Sequence, residues 1–290
     1  MLPLLLSLAL TALNPVWLQL SLWQGGSPLA LLFWQALFAS FFFAVYVGIK
    51  NQTLFLTGKY TATRMLSLGA VGFFPMALLF GLGTQSLGAQ MAVLLFFTYP
   101  LFVILGNTLF FRTSLGRFDL YALLALFAGV LVITNPGPGT NMNLAVLLPL
   151  GAALSYAFFI LFSGYLLQKG SPLQTAMYAQ FGFLLGALPL LFFLPPTVLM
   201  FSPAIFFALI LAFLSSFAGF LLFLQAIAAL GAKRVAVCSV INLPLSLLFT
   251  GLFLGERLSL ALLPGLLLVM LGIILENRGA VRRRKISGGE

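Results

Sequence analysis

The chain has 290 residues, of which 62% are hydrophobic and 6% charged, with a net charge of +10. Soluble domains average about 45–50% apolar and about 25% charged residues, so this composition excludes a soluble globular fold. Histidine is absent and Cys238 is the single cysteine, which excludes an internal disulfide and a multi-cysteine metal site; Cys238 itself reads as small apolar filler inside a helix.

Apolar runs of about 20 residues fill most of the chain, each long enough to cross a hydrocarbon core of about 30 Å as a helix. Backbone groups in lipid must be satisfied within the segment, and these runs are too long and too uniformly apolar for barrel strands. Ten spans are predicted, over 2–22, 29–49, 65–84, 89–111, 118–134, 144–166, 173–194, 204–229, 234–254 and 259–277. No positive n-region precedes the first run, so it reads as a retained helix rather than a cleaved signal. Gln24-Gly25-Gly26-Ser27-Pro28 is a turn by composition, and Asn135-Pro136-Gly137-Pro138-Gly139 another. Pro195-Pro196 and Ser202-Pro203 bracket the break between the seventh and eighth spans.

Cytoplasmic loops collect Lys and Arg because translocating them is costly. With the N-terminus inside, ten spans put 13 of the 14 basic residues in the cytoplasm and leave only Arg257 outside. The positive charge is thus a topology signal, not a nucleic-acid footprint, and both termini are expected to be cytoplasmic. The tail from Arg278 to Glu290 carries Arg282-Arg283-Arg284-Lys285. Two readings of it are open: an anchor beside anionic lipid headgroups, or a regulatory tail that binds a partner.

The chain also repeats itself. Leu87-Gly88-Ala89 returns as Leu230-Gly231-Ala232, 143 positions on, and Pro100 returns as Pro244, 144 positions on. Gly26-Ser27-Pro28-Leu29 returns as Gly170-Ser171-Pro172-Leu173, Leu78-Leu79-Phe80 as Leu221-Leu222-Phe223, and Gly129 as Gly272. Several landmarks at one shift point to two homologous halves, residues 1–135 and 144–277, followed by the basic tail 278–290. Five spans per half is an odd number, so the second half inserts upside down relative to the first. Such inverted repeats are a recurring transporter plan, since two copies facing opposite ways can exchange conformations about a shared site.

The four acids, Asp119, Glu256, Glu276 and Glu290, fall at span ends or in the tail. No acid or base lies mid-span, whereas a proton relay usually needs an intramembrane carboxylate or histidine. A strongly anionic substrate would want a buried cation, and a hydrolase a His, an acid or a metal set. No cofactor site or enzyme constellation is legible. The substrate expected is neutral or zwitterionic, held by hydroxyls, amides, aromatic faces and helix ends.

The polar residues inside the spans are the candidates for that site. Pro15 breaks the first span and frees a carbonyl near residue 11. Asn14 beside it either bridges two helices or lines a cavity, and Trp17 either lines it or belongs to an interfacial belt. Thr98, Tyr99 and Pro100 interrupt the fourth span, and Asn242 and Pro244 interrupt its echo. Paired interruptions are the best sequence pointer to a transporter site. Ser155 and Tyr156 sit mid-span in the sixth helix, the counterpart of the first. Substrate contacts are thus expected at Asn14, Trp17, Tyr99, Ser155, Tyr156 and Asn242, with Pro15, Pro100 and Pro244 shaping the helices.

Other residues favour structural roles. Ser215, Ser216 and Gly219 read as small residues at a helix crossing. Phe73, Phe74, Pro75 and Gln225 are weaker cavity candidates. Gly182 and Gly186 form a GxxxG that serves internal helix contact or dimerisation. Gln35 and Gln180, in the second helix of each half, read as interhelical hydrogen bonders. Glu256-Arg257 reads as an exposed ion pair at a helix end or as a gating contact.

Pro244 followed by Gly255-Glu256-Arg257 and Gly272-Ile273-Ile274, with Thr98-Tyr99-Pro100 and Gly129-Val130 in the first half, resembles the drug/metabolite transporter superfamily in its EamA-type branch. The first half departs at Arg112, which stands where the second half has Glu256. The resemblance spans the whole chain. It implies an inner- or plasma-membrane permease for small metabolites such as amino acids, often outward. It also implies a central cavity lined by the first, third and fourth helices of each half, with the fifth outside. The first-helix glutamate of the small multidrug-resistance relatives is missing here; with no titratable centre mid-span, facilitated diffusion is favoured, and coupling through a shared proton at a span end stays open. The partners expected are a small-molecule substrate and membrane lipids, with no nucleic acid; a monomer suffices, and the oligomeric state is open. Two alternatives stay open, a transporter of drugs or other lipophilic compounds and a non-transporting scaffold or sensor subunit.

Overall fold

The structure, a computed structural model, describes residues 2–56, 58–111, 117–134, 144–167, 170–194, 203–231, 235, 239, 242–255 and 263–275 except 269 and 273. Cys238, Glu256-Arg257, Arg112, the 135–139 turn, Pro195-Pro196 and the basic tail lie outside the described residues.

Every long described element is helical, as apolar runs without strand alternation require. In chain order the helices are α1 (Leu2–Trp23), α2 (Pro28–Lys50), α3 (Lys59–Leu87), α4 (Ala89–Phe110), α5 (Arg117–Thr134), α6 (Leu144–Leu166), α7 (Pro172–Phe192), α8 (Ile205–Leu230), α9 (Asn242–Leu254) and α10 (Leu263–Gly272). Seven of them, α1 to α4 and α6 to α8, are long and apolar enough to cross a membrane. The third span was expected at 65–84, but α3 begins at Lys59. Its first turns are polar and carry Lys59 and Arg64, so an apolar window misses them. The ninth span was expected from 234; its described helix is Asn242–Leu254, and most of 234–241 lies outside the described residues.

α2 and α7 start alike. Ser27 and Ser171 are extended, with ψ of 135° and 134°, and Pro28 and Pro172 open the helices, since a first-turn proline gives up only an N–H that has no partner there. α3 and α8 end alike, on Gly88 and Gly231, both at φ +82°. With ψ of 163° and 148°, both occupy backbone space essentially reserved for glycine. Nothing lies within 4 Å of a Cβ built at either position, so the demand is conformational rather than steric. α3 and α8 also each contain a π-helical stretch, Leu68–Phe73 and Ala212–Gly219. In α3 the cause is visible in sequence, because Pro75 removes the N–H that the Val71 carbonyl would take four residues on.

α1 packs on α8 and α9, and α6 packs on α3 and α4. α2 and α7 pack on each other, α2 also on α8 and α7 also on α3, while α4 meets α9. α3 and α7 cross closely. A Cβ at Gly69 would lie 1.8 Å from the Ala179 carbonyl oxygen, and one at Gly182 would lie 1.9 Å from that of Leu66. Gly186 abuts the Phe74 side chain. The GxxxG of α7 therefore serves an internal crossing, where small residues let two backbones touch.

Candidate functional site

α1 and α4 do not run unbroken through the bundle. α1 has a turn at Leu13, immediately before Asn14 and Pro15, and continues to Trp23. α4 has one at Phe97-Thr98, before Tyr99 and Pro100; Thr98 folds its hydroxyl back to donate to the Leu95 carbonyl at 2.7 Å. The described part of α9 runs from Asn242, with Pro244 two residues on. Each interruption stands just ahead of a proline, which cannot donate to the preceding turn.

A cavity of about 170 Å³ opens between these breaks. Thr11, Asn14 and Pro15 of α1, Gln35 of α2, Ser215 and Ser216 of α8, Ser239, and Asn242 and Ser246 of α9 give it one wall. Phe73 and Phe80 of α3, Phe96, Phe97 and Tyr99 of α4, and Tyr156 and Phe159 of α6 give the other, closed by Phe220 and Phe223 of α8. No Lys, Arg, Asp or Glu is among the lining residues.

The first wall is hydrogen-bonded. Asn242 Nδ2 donates to the Leu8 carbonyl at 3.1 Å and to Thr11 Oγ1 at 2.8 Å, while its Oδ1 accepts from Ser246 Oγ at 2.9 Å. Both amide hydrogens are thereby used, and α9 is fastened to α1. Thr11 passes its own hydrogen to the Ser7 carbonyl at 2.9 Å, and Ser7 donates to the Gly219 carbonyl at 2.7 Å. Ser215 Oγ donates to Asn14 Oδ1. Gln35 Nε2 donates to Ser216 Oγ at 2.8 Å. The π stretch of α8 is what turns two adjacent serines and two carbonyls towards these partners, a common use of π-bulges at functional sites.

The second wall is held by rings. Tyr156 meets Tyr99 edge-on at 5.0 Å, Phe96 at 5.2 Å, and Phe159 nearly parallel at 6.1 Å. Phe73 contacts Phe159, Phe183 and Phe220 at 5.6, 5.1 and 5.0 Å. Edge-on and offset pairs of this kind add about 0.5–1.5 kcal/mol each beyond area burial.

Of the residues singled out from sequence, Asn14, Pro15, Tyr99, Tyr156 and Asn242 line the cavity. Trp17 does not; it faces Phe207 of α8, with ring centroids 6.4 Å apart. Ser155 is half-buried on α6 away from the lining, Pro100 is buried behind it, and Pro244 is exposed. Among the weaker candidates Phe73 lines the cavity and Gln225 is exposed. Ser215 and Ser216, read as crossing residues, line it, while Gly219 sits against Thr11 and Leu10. Gln35 and Gln180 do bond between helices, Gln180 Nε2 reaching the Ser216 carbonyl at 3.0 Å. Thr11 and Ser246 were missed. Their only sequence signal is helical spacing, three residues before Asn14 and four after Asn242.

Comparison with known proteins agrees with this architecture. A family model described as the EamA-like transporter family matches residues 1–135 and 143–278. The protein named "Uncharacterized transporter YcbK" of Bacillus subtilis is 26% identical over 262 residues, covering 86% of this chain and 83% of that protein. An "Uncharacterized transporter" of Archaeoglobus fulgidus is 24% identical over 255 residues, covering 87% of this chain and 89% of its own. A solved crystal structure superposes with a TM-score of 0.70 at 15% identity, covering 97% of both chains, which is a likeness of fold.

Proposed function

The chain belongs to the EamA-like transporter family, and from that premise we propose that it is a permease for small neutral or zwitterionic metabolites such as amino acids. One observation carries the substrate class: the described lining residues include no Lys, Arg, Asp or Glu and combine a hydrogen-bonded cluster with a cluster of rings. Burying a lone charge without a counter-charge costs several kcal/mol, so a ligand of net charge is disfavoured there. A neutral or internally compensated one is accommodated.

Asn14, Tyr99 and Tyr156 touch the substrate, Pro15 and Pro100 shape the breaks, and Asn242 holds α9 to α1. The ten helices form two inverted halves of five, both termini cytoplasmic, in the cell's plasma membrane. The matched starts of α2 and α7, the matched ends of α3 and α8, and the paired π stretches support this reading. Exchange between α1 on α8 and α9, and α6 on α3 and α4, then opens the cavity to alternate sides. Net movement is outward and downhill; among the described lining residues there is no Lys, Arg, Asp or Glu to couple it to a proton.

The test is counterflow in proteoliposomes. Purified protein is challenged with a panel of labelled amino acids, with and without a pH gradient. Saturable counterflow of a panel member, indifferent to the gradient, is expected. Silence across the panel from folded protein would remove the amino-acid reading and favour lipophilic compounds, for which the aromatic wall is the motivating feature.

A further inference from the structure

Two amides on the polar wall are each pinned through one atom and free at the other. Gln35 Nε2 is bonded to Ser216 Oγ. Ser216 is 1% exposed, and its carbonyl takes Gln180 Nε2 at 3.0 Å. Ser40 in turn donates to the Gln180 carbonyl at 3.1 Å. Behind Gln35 there is thus a buried run of hydrogen bonds across α2, α7 and α8 that holds Ser216 in place. Among the described residues, its Oε1 has no protein partner. Asn14 is held through Oδ1 by Ser215, and its Nδ2 likewise has no partner among the described residues. Ser215 and Ser216 are consecutive, so one α8 turn presents an acceptor from Gln35 and a donor from Asn14 to the same cavity.

We infer that Gln35 Oε1 and Asn14 Nδ2 form a head-group clamp that reads a donor and an acceptor on neighbouring atoms of the ligand, with its apolar remainder against the rings. The inference rests on the amino-acid reading above and narrows it to α-amino acids with apolar side chains. The ligand ammonium donates to Gln35 Oε1, and its carboxylate accepts from Asn14 Nδ2. Hydrogen bonds to ionised groups are the stronger kind. The two ligand charges compensate one another where the protein offers none. Asn242, whose amide hydrogens are both engaged, is outside the clamp.

The probes are labelled L-leucine, L-methionine and L-phenylalanine in proteoliposome counterflow. Each is competed by its analogue lacking the amine and by its analogue lacking the carboxylate. In the unaltered protein the intact amino acid outcompetes both analogues. Gln35→Leu is expected to raise the half-saturation concentration about tenfold, with maximal rate nearly unchanged, and to reduce the preference over the amine-lacking analogue only, whose net charge still disfavours it. Asn14→Leu does the same for the analogue lacking the carboxylate. Gln35→Met, an apolar change of nearly the same length, is expected to act as Gln35→Leu does and covers the case in which Gln35→Leu fails to fold. A folded Gln35→Leu with unaltered half-saturation and preference overturns the clamp alone. Counterflow confined to polar amino acids overturns the clamp and leaves the transporter reading standing. Silence from a full amino-acid panel removes both.

Discussion

The wall that α1, α8 and α9 give the cavity is fastened by directional hydrogen bonds, whereas the wall of α3, α4 and α6 is fastened by rings. One pair of residues near a proline shows the contrast. Asn242 precedes Pro244 by two residues, as Thr98 precedes Pro100, yet Asn242 reaches across to α1 while Thr98 bonds within α4. Asn has two hydrogens and a longer reach than the Thr hydroxyl, which a helix readily captures for its own carbonyl. Where the side chain cannot cross, Tyr99 and Tyr156 fill the gap with ring contact. The seam formed near the proline therefore depends on which residue stands two positions ahead of it.

That contrast can be broken from beneath or wall by wall. The largest effect is expected at the α3–α7 crossing that carries both walls. Gly182→Leu would drive a side chain into the Leu66 carbonyl, and folded, monodisperse protein should be lost on gel filtration in detergent. Next comes the aromatic wall. Tyr156→Ala removes four ring contacts and is expected to cost about 3 kcal/mol in detergent unfolding, as large-to-small core changes do. Tyr156→Phe keeps those contacts and should stay within about 0.5 kcal/mol.

The polar wall should be softer. Asn242→Ala severs three hydrogen bonds, but interhelical bonds in membranes contribute about 0.6 kcal/mol on average and under about 2 kcal/mol at most. A total loss of about 1–2 kcal/mol is expected, below that of Tyr156→Ala; the reverse order would show that hydrogen bonds, not rings, dominate the cohesion of the cavity. The smallest effect is Ser246→Ala, under about 1 kcal/mol, with its partner Asn242 still held to α1.

The site was legible where a break announced itself. Pro15 and Pro100 mark interruptions in otherwise uniform helices, and Asn14 and Tyr99 beside them line the cavity, as does Asn242 near Pro244. Trp17 and Ser155 were chosen by depth in the span alone, and depth does not say which way a side chain faces. Gln35 was seen as a bonding residue but not as cavity wall, because its partner is set by the rotation of α8. Ser215 and Ser216 face the cavity through a π stretch that has no proline to signal it.

By itself, the sequence determined the membrane class, nearly all the helices and the positions where they break. Those follow from the length of apolar runs, from Pro and Gly backbone constraints, and from the cost of leaving polar backbone in lipid. Only the tertiary structure decided which faces meet. A helix that is apolar all round has no moment to orient it, so its rotation is chosen by neighbours: Gly69 and Gly182 by close approach, Asn242 and Thr11 by a hydrogen bond, Tyr99 and Tyr156 by a ring contact.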